Sequence, residues 1–223
     1  MKIVFTKEKI RNSIVCICLL VSLTLTGQVQ KKIFVNDIQG VEYVTVNFCV
    51  DNEAKISKVT IDKDKTTYKN EENIKLLREY LLGIQFYSDS KLKNNCYDST
   101  FTYINYKYED KSLSKEECYA CEKFKTGLFG YEHVLYQGVK IKRKRKVQKE
   151  IGADDKQIYS IKWLSNCTYV LTYKRMTEPR LKHLIGKEIH VEIIDVLKNG
   201  SYVYRSTTKF DDIVDYGIIK KIK

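Results

Sequence analysis

The chain has 223 residues, 43% of them hydrophobic, and a formal net charge of +12. That length suits one large domain or two small ones, and that apolar content excludes a disordered chain. One proline and ten glycines exclude Pro- or Gly-rich linkers, while 17 tyrosines lean the chain towards strand.

The first residues read as a leader and not as part of the fold. Lys2, Lys7, Lys9 and Arg11 form a basic head, Ser13 to Leu25 is apolar, and Thr24, Thr26 and Gly27 are small residues suited to cleavage. The apolar run falls short of the roughly 20 residues a membrane span needs. Residues 1–27 are therefore expected to be a cleaved signal peptide, with Gln28 as the mature start; an uncleaved anchor is the alternative. Export implies a periplasmic or extracellular protein with no membrane span after cleavage. Cys16 and Cys18 leave with the leader, so Cys49, Cys96, Cys118, Cys121 and Cys167 remain to oxidise. Five is odd, so one thiol stays free or pairs between chains. The leader holds four Lys/Arg and one Glu, so three of the twelve net positive charges go with it and nine remain. A basic exported protein meets anionic glycans, lipopolysaccharide or acidic proteins. Nucleic acid lies in the wrong compartment and is not an expected partner.

Along the mature chain, Val41 to Val50 alternates, with Val44, Val46, Phe48 and Val50 on one face. This predicts a strand with one buried side. Residues 51–54 turn the chain into a second strand, Lys55 to Asp62. Asn70 is placed to cap a helix whose first turn carries Glu71 and Glu72, with Ile74, Leu77, Leu81 and Ile84 as its packing stripe. Tyr97 to Tyr108 reads as a long aromatic strand. Residues 40–110 thus form an α+β unit, a three-stranded antiparallel sheet with one helix on a face. Residues 109–117 are charged and mark the boundary. From Cys118 on, the signals are strand signals: Phe124 to Tyr131, Val139 to Ile151, Gln157 to Leu164, Thr168 to Lys174, Glu188 to Leu197, Ser201 to Thr207 and Ile213 to Ile222. Ser165-Asn166 and Asn199-Gly200 mark turns, the second with a type I′ signature. Residues 118–223 are expected to be an all-β antiparallel domain, a curved sheet or small lipocalin-like barrel.

Candidate chemistry is sparse. Cys118-x-x-Cys121 lacks the strand-to-helix setting of a redox pair, and zinc would want a second such pair or paired histidines. The expectation is a structural Cys121–Cys167 disulfide framing Trp163, with Cys118 spare. Lys140, Lys142, Lys144 and Lys146 alternate with Ile141, Arg143 and Arg145. As a strand they offer a solvated edge or an anion-binding face. Arg143, Gln148 and Glu150 form either a polar network inside a barrel or the lining of a pocket, with Trp163 nearby. No phosphate loop, nucleophile elbow or HExxH is present, so neither cofactor nor metal is expected. The reading is a non-enzymatic envelope protein binding a protein partner or small ligand through its sheets. The alternatives are a polyanion binder and an enzyme of unrecognised type.

Two resemblances add to this. Val46-Asn47-Phe48-Cys49-Val50-Asp51-Asn52-Glu53-Ala54-Lys55-Ile56-Ser57-Lys58-Val59 resembles the opening hairpin of TonB carboxy-terminal domains, with Ala54 in place of the usual turn glycine. The match covers residues 40–108, and the Trp-Pro segment expected after the helix is absent. The resemblance implies a last strand antiparallel to the first, with Cys49 and Cys96 at one end of the sheet and within reach of a disulfide. The second half is similar to an uncharacterised exported family of Bacteroidota, mainly flavobacteria. Its shared residues are Cys121, Phe124-Lys125-Thr126-Gly127, Ile141-x-Arg143, Gln148-x-Glu150 and Ile161-x-Trp163-x-Ser165-x-Cys167-x-Tyr169. That family implies a location and a shape and no activity.

Overall fold

A computed structural model describes residues 31–211 and 213–222; the expected signal peptide and its cleavage site lie outside them. The first module is a four-stranded mixed sheet, ordered β1-β4-β2-β3. Its strands are β1 (Lys32–Val35), β2 (Val41–Val50), β3 (Ile56–Asp62) and β4 (Asn95–Asn105). Helix α1 (Glu71–Leu82) starts where the Asn70 side chain accepts from the Glu72 and Asn73 amides, and it buries Ile74, Leu77 and Leu81. That stripe packs on Val44, Val46, Phe101 and Tyr103, so the helix covers one face of the sheet. The β2–β3 turn holds Ala54 at φ 65°, the left-handed region a glycine would occupy without strain. Asp51 steadies it by accepting from the Glu53 and Lys55 amides, both at 2.9 Å.

Two features depart from the expectation. The lead-in before Val41 contributes a fourth strand, β1, paired parallel to β4. And β2 is buried on both sides at its start: Val41 and Tyr43 face away from the helix and are as covered as Val44 and Val46. The cover is the second module. Val41, Tyr43, Ile104 and Tyr108 form one cluster with Ile194, Val203, Tyr216 and Ile218. Polar contacts rim this joint. The Tyr108 hydroxyl donates to Asp195 at 2.9 Å, and Lys111 pairs with the same carboxylate at 3.0 Å.

The second module is a closed eight-stranded antiparallel barrel, ordered β10-β11-β12-β5-β6-β7-β8-β9. The strands are β5 (Gly127–Tyr131), β6 (Lys140–Lys144), β7 (Val147–Ile151), β8 (Lys156–Trp163), β9 (Thr168–Met176), β10 (Glu188–Val196), β11 (Ser201–Thr208) and β12 (Val214–Lys221). The continuous strand expected over Val139 to Ile151 is a hairpin, turned at Arg145-Lys146, so Arg145 is exposed and does not share the inner face with Arg143. Neither turn residue has positive φ, and without Asn or Gly there the turn left no signature. The β10–β11 turn is not type I′. Only Gly200 is left-handed, and its amide donates to Leu197, the pattern of a three-residue loop with a glycine bulge.

The segment expected to run as strand from Phe124 is helical up to that residue. Helix α2 (Lys115–Cys118) opens with a capping box between Ser114 and Glu117 and continues as a 3-10 turn from Tyr119 to Phe124. This segment closes one end of the barrel. Cys118, and not Cys121, is bonded to Cys167; among the described residues Cys121 is the free thiol, fully buried in the cluster that holds Phe124. The two cysteines are three residues apart on a helical turn and share a face, so only the docking of the segment decides which meets Cys167. Burial pushes the Cys121 thiol up to about 11, which removes its nucleophilic form at neutral pH. In the first module Cys49 is bonded to Cys96, directly opposite on β2 and β4. Each bond closes a loop of nearly 50 residues (separations 47 and 49), a constraint worth about 4 kcal/mol in the chain-entropy account.

Candidate functional site

Alternation along the barrel strands sets what points inward. On β6, Ile141 and Arg143 are buried while Lys140, Lys142 and Lys144 are exposed. The hairpin register places Gln148 directly opposite Arg143, and Glu150, two residues on, shares the inner face. A hydrogen-bonded chain results. Arg143 Nε donates to Gln148 Oε1 at 2.7 Å, and Gln148 Nε2 donates to Glu150 Oε1 at 2.7 Å. Arg143 also donates to the Phe124 carbonyl at 2.9 Å and to the hydroxyls of Tyr169 and Tyr202, both at 3.1 Å. A guanidinium that is 2% exposed is thereby solvated by the barrel wall and by the plug. Burial works against its charge, but the Tyr169 and Tyr202 oxygens outweigh this and raise its pKa.

Above this chain, at the end away from the plug, lies a cavity of about 90 Å³. Gln148, Glu150 and Ser206 are its polar lining. Tyr131, Tyr159, Tyr169 and Tyr204 supply aromatic walls, and Leu171, Ile189, Val191 and Ile219 supply aliphatic ones. Glu150 and Tyr204 sit inside the barrel yet retain accessible surface, because they face this space. Desolvation raises the Glu150 carboxyl above the ordinary range, against hydrogen bonds from Gln148 and Tyr131 and the pull of Arg143. Asp155 adds to the rise, and it also accepts from Gln157 at 3.3 Å by the entry. Tyr204 lies across Gly217, its partner in the β11–β12 register; a Cβ on Gly217 would come within 2.6 Å of the Tyr204 hydroxyl. Strand ends and loops on this side expose Leu135, Tyr136, Ile151, Ile185 and Ile213.

Three of the four sequence-derived pocket residues are therefore brought together: Gln148 and Glu150 line the cavity, and Arg143 is bonded beneath them. Trp163 is not part of it. Its ring packs on Tyr169 at 4.5 Å towards the plugged end, with Arg143 and Lys125 each 5.8 Å from its centre. The tyrosine walls come from four separate strands, and no spacing within one strand marks them as a set. Lys140, Lys142, Lys144 and Lys146 are all exposed, the first three on the outer wall and Lys146 in the turn. Lys142 stands opposite Lys149 in the register, and Lys162 lies exposed on the neighbouring strand. From residue 140 to 176 the only acids are Glu150, Asp154 and Asp155, so this wall is uniformly basic.

A wider open groove of about 490 Å³ lies between β1 and α1. Its carboxylate, Asp37, accepts from Tyr68 at 2.8 Å and from Asn70, the helix cap. That wiring holds the helix start and leaves little for a ligand. Among the described residues no cluster of His, Cys, Asp and Glu suits a metal ion. No protein-family model, curated protein or solved structure matches the chain. The fold and cavity thus define a class by shape: an open mixed sheet joined to a closed barrel with one plugged end and one hollow end.

Proposed function

We propose that the chain is an exported, non-enzymatic binding protein whose barrel holds a small ligand at its hollow end. The observation that carries this is the cavity: polar groups converge at its base, apolar walls surround them, and the far end is sealed. Two disulfides support an oxidising compartment. The Arg143–Gln148–Glu150 chain offers no nucleophile beside a base, which favours binding over catalysis. The test is amide NMR of the labelled protein titrated with a panel of small polar compounds, beside the Gly217→Ala variant. The added methyl drives the Tyr204 ring into the cavity. Shifts confined to Tyr131, Glu150 and Tyr204 that vanish in the variant are expected; shifts scattered over the outer wall would sink the proposal.

A second reading is favoured by the basic wall. Like charges directly opposite, as at Lys142 and Lys149, destabilise a sheet. A polyanion partner, such as an anionic glycan or lipopolysaccharide, accounts for keeping them. Binding to heparin that weakens steeply with salt, and weakens further in Lys142→Gln/Lys149→Gln, is its expected signature. For a protein partner, the TonB-like reading of the first module points to strand addition at β3. Among the described residues that edge is unpaired beyond Ile56, whose amide already donates to Ile84 at 3.1 Å.

A further inference from the structure

We infer that the hollow end of the barrel takes the positively charged head of a small organic amine or quaternary ammonium compound, an inference that rests on the ligand-holding reading above. The local charge runs against the chain as a whole. The protein carries +12, yet among the described residues no lysine or arginine lines the cavity, and Glu150 forms its base. Asp155 acts on Glu150 from the entry, and the charge of Asp211, on the β11–β12 loop, reaches Tyr173 behind Tyr159. Arg143 is the cation that acts on Glu150, and its Nε, Nη1 and Nη2 are each already engaged by Gln148, Phe124, Tyr169 and Tyr202. A carboxylate in the cavity lining, beside a guanidinium committed to other acceptors, disfavours an anion and leaves a positive ligand as the complement.

The walls agree with the charge. Tyrosine rings present negative faces that attract a cation within about 6 Å, most strongly where water is excluded. Four tyrosines from four strands meet around one carboxylate, an aromatic cage with an acid at its floor. Leu171, Ile189 and Val191 complete it with surface suited to methyl or methylene groups. Size sets the rest. About 90 Å³ is the room of some three waters at ~30 Å³ each and far below the ~300 Å³ of a drug-sized site. A head group fits; a whole ligand does not. The remainder of the molecule would lie against the exposed rim of Leu135, Tyr136, Ile185 and Ile213. The inference also gives the raised Glu150 carboxyl a purpose, because a bound ammonium supplies the charge partner that burial denies it.

Three probes of one shape and different charge separate the outcomes: choline, its neutral carbon analogue 3,3-dimethylbutanol, and the anion 3,3-dimethylbutyrate. Isothermal titration calorimetry on the full chain should show choline binding at least about tenfold more tightly than the alcohol, with no heat from the anion. Glu150→Gln keeps the shape and an acceptor for Gln148; it should bring choline down to the level of the alcohol. Asp155→Asn, at the entry, is the second variant should Glu150→Gln not fold, with a drop of about threefold. Equal binding of choline and alcohol, preference for the anion, or full choline affinity in both variants overturns the ammonium inference and leaves the cavity as a ligand site. Silence from all three probes overturns both.

Discussion

The two modules hide a sheet in opposite ways. The first stays open and borrows its cover: α1 lies on one face, the barrel on the other, and its buried side chains are hydrocarbon and tyrosine apart from the small hydroxyls of Thr45, Thr66 and Ser99, with no buried charge. The second closes on itself and owns its interior, where an arginine, a glutamine and a glutamate form a bonded chain. An open sheet has no fixed inside, so polar groups there would depend on whichever element docks on them. A closed barrel holds every inward position at a set distance from every other. The difference teaches where to look for a site in such a chain: in the module whose walls can keep polar groups paired without help.

The sharpest way to break the comparison is to make the barrel interior apolar. Arg143→Met leaves the Phe124 carbonyl, the Gln148 oxygen and two tyrosine hydroxyls without their donor. It should cost about 4 kcal/mol in urea unfolding. A loss below about 1 kcal/mol would mean that the polar chain is not structural and that the contrast is superficial. In the sheet module the matching loss comes from hydrocarbon. Leu81→Ala, at a site 1% exposed, should cost about 3 kcal/mol. Combined with Arg143→Met it should add within about 0.5 kcal/mol, because the sites share no partner. Strong non-additivity would show that the joint, and not the modules, sets stability.

The joint itself carries the third prediction. His133, in the β5–β6 connection, packs at a tilt against Tyr43 at 4.0 Å and Tyr136 at 4.7 Å between ring centres, and its Nδ1 accepts from the Leu135 amide at 3.1 Å. Desolvation lowers its pKa from 6.5 to about 4. Between those values the unfolded chain binds the proton and the folded chain does not, so stability rises with pH across the window and is lost on acidification. After allowance for partial exposure the loss is roughly 2 kcal/mol. Glu150, with its raised carboxyl, contributes a slope of opposite sign above the ordinary carboxylate range. The difference between parent and His133→Gln midpoints from pH 4 to 7 isolates the histidine, and parallel curves would refute the assignment. The smallest effect is Ala54→Gly. Relief of the left-handed strain, offset by a lost buried methyl, should raise stability by about 0.5 kcal/mol in thermal unfolding; a destabilised variant would show that the methyl matters more than the backbone.

Much of this was legible, and the pattern of what was not is physical. Helix α1 was readable because Asn70, Glu71, Glu72 and the Ile74–Leu77–Leu81 stripe are all local. The β8–β9 hairpin was readable for the same reason. Strand β1 was not: four residues gain their partner from Thr102 to Asn105, some 70 positions away. Ring closure of the barrel was equally hidden, because no local signal pairs β12 with β5. The polar chain could be listed as Arg143, Gln148 and Glu150 from alternation alone. The tyrosine walls could not, because they come from β5, β8, β9 and β11 and converge only when the ring shuts. The burial of Tyr43 was not readable either, because its cover comes from residues 194–218 of the second module.

That shutting has a consequence in time. Tyr131 pairs with Ile219, about 90 residues later, and until then β5 and β11 are bare edges of the kind other chains pair with. Every pairing of the first sheet is complete by Asn105. As the chain emerges from its N-terminal end, the sheet therefore has all its strands before the barrel does. During that interval Val41 and Tyr43 have no partner surface, and the hollow end does not exist. A chaperone that holds the nascent chain would find its natural target on that waiting face.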